Sequence, residues 1–150
     1  MRRIAIGAAF VVAVAVLALT LVPPPRPLHA QALSVGNWGI QHTPAASTQA
    51  TITRAAGTGL MRHVATSATV CIVATAAQTA LAFNLRDGAT GAGTIIWSVS
   101  LAGTAGTGQC VPSGPIHLVG STATAMTLES SAAPTATNFV TVTLTGYDTL

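Results

Sequence analysis

The sequence predicts an all-β protein, an antiparallel β-sandwich of jelly-roll type, with an immunoglobulin-like sandwich as the alternative. Three observations predict it. Beyond residue 32 no apolar stretch repeats with a helical period long enough to cover a sheet. Short runs rich in Val, Ile, Thr and Leu recur instead, with turn residues about every 8 to 12 positions. Residues 81–101 also read as a complete hairpin, in which Leu81, Phe83 and Leu85 alternate with Ala82, Asn84 and Arg86, and Ile95, Trp97, Val99 and Leu101 alternate with Ile96, Ser98 and Ser100. The glycines Gly88, Gly91 and Gly93 between these arms supply turn conformations that other residues reach only at a cost.

The elements before the hairpin follow in order. Residues 1–32 read as a secretory leader: Arg2 and Arg3 precede an uncharged apolar run over 4–22, then three prolines and Ala30-Gln31-Ala32, a small-x-small cleavage pattern. The apolar run approaches the ~20 residues that a membrane-spanning helix needs, so an uncleaved anchor with the body outside is the competing reading. Residues 33–49 show no sustained period and are expected to form an irregular lead-in, part of which docks through Trp38. The sandwich domain is expected over 50–150. It opens with a short strand around Ile52, followed over 60–77 by two strands with a bend at 65–68.

After the hairpin, the Gly-, Thr-, Pro- and Ser-rich stretch 102–114 is expected to be loop. Three further strands are expected over 116–119, 124–130 and 138–145, the last alternating Val140, Val142 and Leu144 with threonines. Aromatic residues are scarce, so Val, Ile, Leu, Ala and Thr must build the core, with Trp97, Phe83 and Phe139 as its few large pieces. Such a core implies modest stability for a lone monomer. The two cysteines, Cys71 in a strand and Cys110 at the end of the glycine-rich connection, are expected to form a disulfide in an exported chain.

Charge excludes one function class. The chain contains no Lys, and removal of the leader takes Arg2, Arg3 and Arg26 with it, so Arg54, Arg62 and Arg86 remain against Asp87, Glu129 and Asp148. With neutral histidines the formal charge of the remainder is zero, which gives no basic footprint for nucleic acid. So little charge also gives little protection against self-association.

The three acids are too scattered to form a glycosidase-like pair. His63, Asp87 and some serine could be assembled on paper into a triad, but no Gly-x-Ser-x-Gly singles out a nucleophile. His63 and His117 lack the spacing of metal ligands, and the glycine-rich hairpin tip lacks the Lys and helix of a phosphate loop. No catalytic residue, metal or cofactor is therefore expected. Asp87 is expected to brace its own turn, and Glu129 to be a solvated or cross-strand partner. Arg86 is expected to brace the loop through Asp87 or the loop carbonyls, or else to join Asn84 and Asp87 in a polar patch at an interface.

A family resemblance adds to this reading. Residues 84–97, Asn-Leu-Arg-Asp-Gly-Ala-Thr-Gly-Ala-Gly-Thr-Ile-Ile-Trp, together with Gly120-Ser121 before 125–129 and the ending 142–148, resemble small β-rich structural proteins of phages and prophages. The resemblance covers most of the chain from about Thr53 and implies a multimeric virion-associated or assembly module, with no catalytic residues to carry over. The leader departs from that pattern and implies use outside the membrane.

Together these readings point to an exported, secreted, periplasmic or surface-held structural module that forms homo-oligomers or joins a surface or virion-like assembly. Membrane contact is expected only through an uncleaved leader. The alternative is a secreted ligand- or glycan-binding module that uses the loops at 87–93 or 103–114.

Overall fold

The alternation of Val140, Val142 and Leu144 with Thr141, Thr143 and Thr145 buries one face of a strand and leaves the other half-exposed. The same rule organises the rest of the computed structural model, which describes residues 34–150. The strands are β1 (Ser34–His42), β2 (Thr51–Arg54), β3 (Arg62–Ala74), β4 (Gln78–Asp87), β5 (Thr94–Gly103), β6 (Thr107–Pro112), β7 (Leu118–Val119), β8 (Met126–Ser130) and β9 (Phe139–Thr149). The expected leader lies outside the described residues. Among the described residues, no helix is long and apolar enough to cross a membrane.

Two antiparallel sheets pack face to face. One has the order β1-β9-β3-β6, with β7 also on β3, and the other has the order β2-β8-β4-β5. The pairs β1 with β9, β2 with β8, β3 with β6 and β7, and β4 with β5 describe one long hairpin folded about the β4–β5 turn and rolled up. This is jelly-roll connectivity, and it sets aside the immunoglobulin-like alternative. Ile52, Val70, Ile72, Leu81, Phe83, Leu85, Leu101, Met126, Leu128, Val140, Val142 and Leu144 fill the space between the sheets.

Several elements differ from expectation. The lead-in is not irregular over 34–42: it forms β1, whose glycines hide the period, and Trp38 and Ile40 pack against the core. The two strands expected over 60–77 are one, β3, and the expected bend is a register shift between Ala65 and Ser67 that leaves the ladder continuous. The stretch 102–114 is not all loop, because β6 lies within it and places Cys110 directly opposite Cys71. These two cysteines form the expected disulfide, which fits an oxidising compartment.

The core face of the hairpin needs a correction as well. Leu85 pairs with Trp97 and Arg86 with Ile95, so Ile96 is an extra residue in β5. This bulge turns Ile95 outward, to 47% exposure, while Trp97 and Val99 pack only partly on the core at the sheet edge. Phe139, expected inside, is 42% exposed because its phase on β9 is that of the outward threonines.

Candidate functional site

The only carboxylate on the inner face of β9 is Asp148, in phase with Val142, Leu144 and Gly146 and therefore pointing between the sheets. Three neighbours meet it. His63 lies directly opposite on β3, and its Nδ1 is 2.7 Å from Asp148 Oδ1. Trp38 on β1 donates from Nε1 to the same oxygen at 2.8 Å. Arg54, in phase with Ile52 on β2, reaches across from the other sheet and donates from Nη2 to Asp148 Oδ2 at 2.5 Å. The cluster thus joins β1, β3 and β9 of one sheet to β2 of the other at one end of the sandwich.

Packing fixes this arrangement as tightly as charge does. Trp38 lies opposite Gly146, where an added Cβ would come within 2.6 Å of the indole and 2.1 Å of the Val64 carbonyl oxygen. Only glycine leaves room for the ring. The indole also meets His63 edge-on, with centroids 6.3 Å apart, and lies 5.9 Å from the Arg54 guanidinium carbon.

The chemistry of the cluster is that of a brace. His63 Nδ1 faces Asp148, as in the base and orienting acid of a triad, but its Nε2 is 2.8 Å from the Ala55 carbonyl oxygen. The ring position that would activate a nucleophile is therefore filled by backbone. The acid beside His63 is Asp148, and the Asp87 of the paper triad is held elsewhere. Among the described residues, no group of three or more His, Cys, Asp or Glu converges to hold a metal ion.

Burial raises the tendency of Asp148 to stay protonated, but hydrogen bonds from Arg54, His63 and Trp38 and the Arg54 charge outweigh it, so its pKa is lowered. The contribution of Asp148 to stability is complete above the ordinary carboxylate pKa of about 3.9 and is lost as pH falls through the lowered folded value. Wild type is therefore expected to lose stability on that acid limb, and a D148N variant to show a flatter limb. Urea midpoints measured from pH 6 down to about 2 check this.

A second brace holds the hairpin tip. Arg86 on β4 donates from Nε to Glu129 Oε1 at 2.5 Å, and Gly91 N–H donates to Glu129 Oε2 at 3.0 Å. The tip thus folds over the outer face of its own sheet and leaves Glu129 only 2% exposed. Gly93 permits the return: at φ 77°, an added Cβ would stand 2.1 Å from the Asp87 carbonyl oxygen. An E129Q variant is expected to exchange the Gly91 amide hydrogen at least several-fold faster while the core amides of β3 and β9 keep their protection, as read by hydrogen exchange.

The sequence-derived candidates are therefore distributed rather than convergent. Arg86 braces the loop through Glu129 and, at 3.3 Å, through the Gly93 carbonyl, and not through Asp87. Asp87 does not brace its own turn; it accepts the Ser121 N–H at 2.9 Å and the Ser121 hydroxyl at 2.5 Å, pinning the β7–β8 connection. Asn84 is buried and accepts the Ser98 hydroxyl at 2.8 Å across the β4–β5 pair. Trp38, Arg54, His63 and Asp148 were not expected together. The signal for them was phase: Arg54 continues the Ile52 alternation, and Asp148 continues that of Val142 and Leu144.

No protein-family model matches the chain, and no curated protein matches it. Among solved structures, the chain is similar to part of the dimeric latent PorU of Porphyromonas gingivalis, at 15% identity and TM-score 0.43 over 81% of this chain. It spans 14% of the length of that protein. It is also similar to a Bacillus structure described as endospore appendages forming a novel family of disulfide-linked pili, at 17% identity and TM-score 0.28 over 77% of this chain and 90% of that one. At these values neither likeness bears on function.

Proposed function

We propose that the chain is an exported, non-enzymatic structural module that assembles with copies of itself. One observation carries the reading: each carboxylate side chain among the described residues, Asp87, Glu129 and Asp148, is engaged in tying one part of the fold to another. The outer faces that remain are rich in threonine and poor in charge, with Thr141, Thr143 and Thr145 along β9 and Thr51 and Thr53 along β2. Such surfaces oppose self-association weakly. The disulfide and the leader pattern support export to the periplasm, the cell surface or the medium, and the resemblance over 84–97 supports an assembly role of the phage-structural kind.

Sedimentation velocity of the oxidised chain across a hundredfold concentration range tests this. The expected result is a sedimentation coefficient that rises with concentration; a constant monomer value would overturn the proposal. The ligand-binding alternative is favoured by one observation, an open groove of about 540 Å³ where β5 turns into β6, lined by Gln78, Thr104, Thr107 and Gln109 together with Ala102, Gly103 and Gly108. A glycan array is expected to show no specific binding, and a reproducible hit would favour that alternative.

A further inference from the structure

Each sheet of the sandwich ends in strands whose outward backbone groups have no ladder partner, and proteins commonly defend such edges by shortness, bulges, glycine, proline or charge. Three of the four edges here carry such a defence. The β2 edge is four residues long and ends in Arg54. The β1 edge contains Gly36 and Gly39 and a register shift. The β6 edge is six residues long, contains Gly108 and ends at Pro112. The β5 edge, Thr94–Gly103, has ten residues with no charge and no proline, and its glycine is the last of them. Its bulge at Ile96 lies near the start, so Trp97 to Leu101 pairs regularly with Leu81 to Leu85.

We propose that the free edge of β5 is the surface through which two copies of this chain join, antiparallel, into one continuous sheet. The sequence of the regular stretch is suited to a two-fold axis. With Val99 on the axis, Trp97 faces Leu101 of the copy and Ser98 faces Ser100 of the copy. Residues opposite one another share a face, so apolar meets apolar on the core side and serine meets serine on the outer side. Trp97 and Val99 are half-buried at the rim of the core, and the added strand would cover what they still expose. A second copy is favoured over a foreign partner because the edge offers no charge for a foreign partner to match, whereas the copy presents the same uncharged alternation.

This proposal deepens the assembly reading and rests on it, so the test separates the two. The chain as exported, with its native disulfide intact, is compared with V99C, S100K and the control variants T143C and T143K. Thr143 lies on the outward face of β9, away from β5. Under mild oxidation V99C is expected to run at twice the monomer mass on a non-reducing gel while T143C stays monomeric, because only Val99 sits on the axis. S100K keeps the fold, since Ser100 is exposed, and is expected to raise the concentration of half-association at least tenfold, with T143K near wild type. If wild type associates but V99C stays monomeric, or S100K associates as wild type does, the β5 edge is overturned and assembly through another surface stands. If wild type is monomeric throughout, both readings fall.

Discussion

Reduction of Cys71–Cys110 is expected to destabilise the domain by about 4 kcal/mol, since the bridge closes a loop of 39 residues in sequence separation. That is a large share of the ~5 to 15 kcal/mol that hold an ordinary domain together. The position of the bridge adds to the effect. β6 is an edge strand bound to the sheet through β3, and most of its residues are exposed, so little apolar burial holds it there. Once reduced, β6 has its ladder to β3 but no covalent tie. Urea unfolding of the oxidised chain, the reduced chain and a C71A/C110A double variant checks this. The last two are expected to share a midpoint well below the first.

Removing the carboxylate of Asp148 is expected to cost about 3 to 5 kcal/mol, because it leaves two enclosed donors, on Trp38 and His63, unsatisfied at about 1 to 3 kcal/mol each, while Arg54, 39% exposed, can turn to water. In D148A the Trp38, His63 and Arg54 donors all lose their acceptor at once, and His63 has no route to water because it is 1% exposed. W38F tests the cluster from the other side. It removes one donor and leaves the carboxylate with two, so a loss of about 2 kcal/mol is expected, in the range for hydrogen bonds to charged groups. Thermal or urea unfolding of the two variants reads the difference. The ordering matters more than either value, because it distinguishes an acceptor shared by three strands from a set of independent contacts.

Much of the fold was legible because alternation survives in strands of ordinary composition. The hairpin arms, β2, β8 and β9 follow directly from it, and the even cysteine pair foretold the disulfide. What was not legible has identifiable causes. Glycine at 36 and 39 erased the period of β1, and the Gly- and Thr-rich composition of 102–114 looked like loop although β6 needs only six residues of ladder. A bulge adds one residue and reverses the side-chain phase beyond it, which is why Ile95 left the core.

The site was less legible than the fold. Adjacent charges in sequence, Arg86 and Asp87, suggested a local pair, but neighbours on a strand point to opposite faces, so each found its partner elsewhere. The Asp148 cluster depends on four strands brought together by the roll of the chain, and no local pattern encodes that. Its trace in the sequence is a charged residue in the buried phase of a strand.

The central claim is that all three carboxylates are structural. A carboxylate held for chemistry commonly gives equal or greater stability when neutralised, whereas a brace gives less. Equilibrium urea unfolding of D87N, E129Q and D148N at neutral pH therefore tests the claim most directly. The expected result is a lowered midpoint in all three, largest in D148N; an unchanged or raised midpoint in any of them would contradict it.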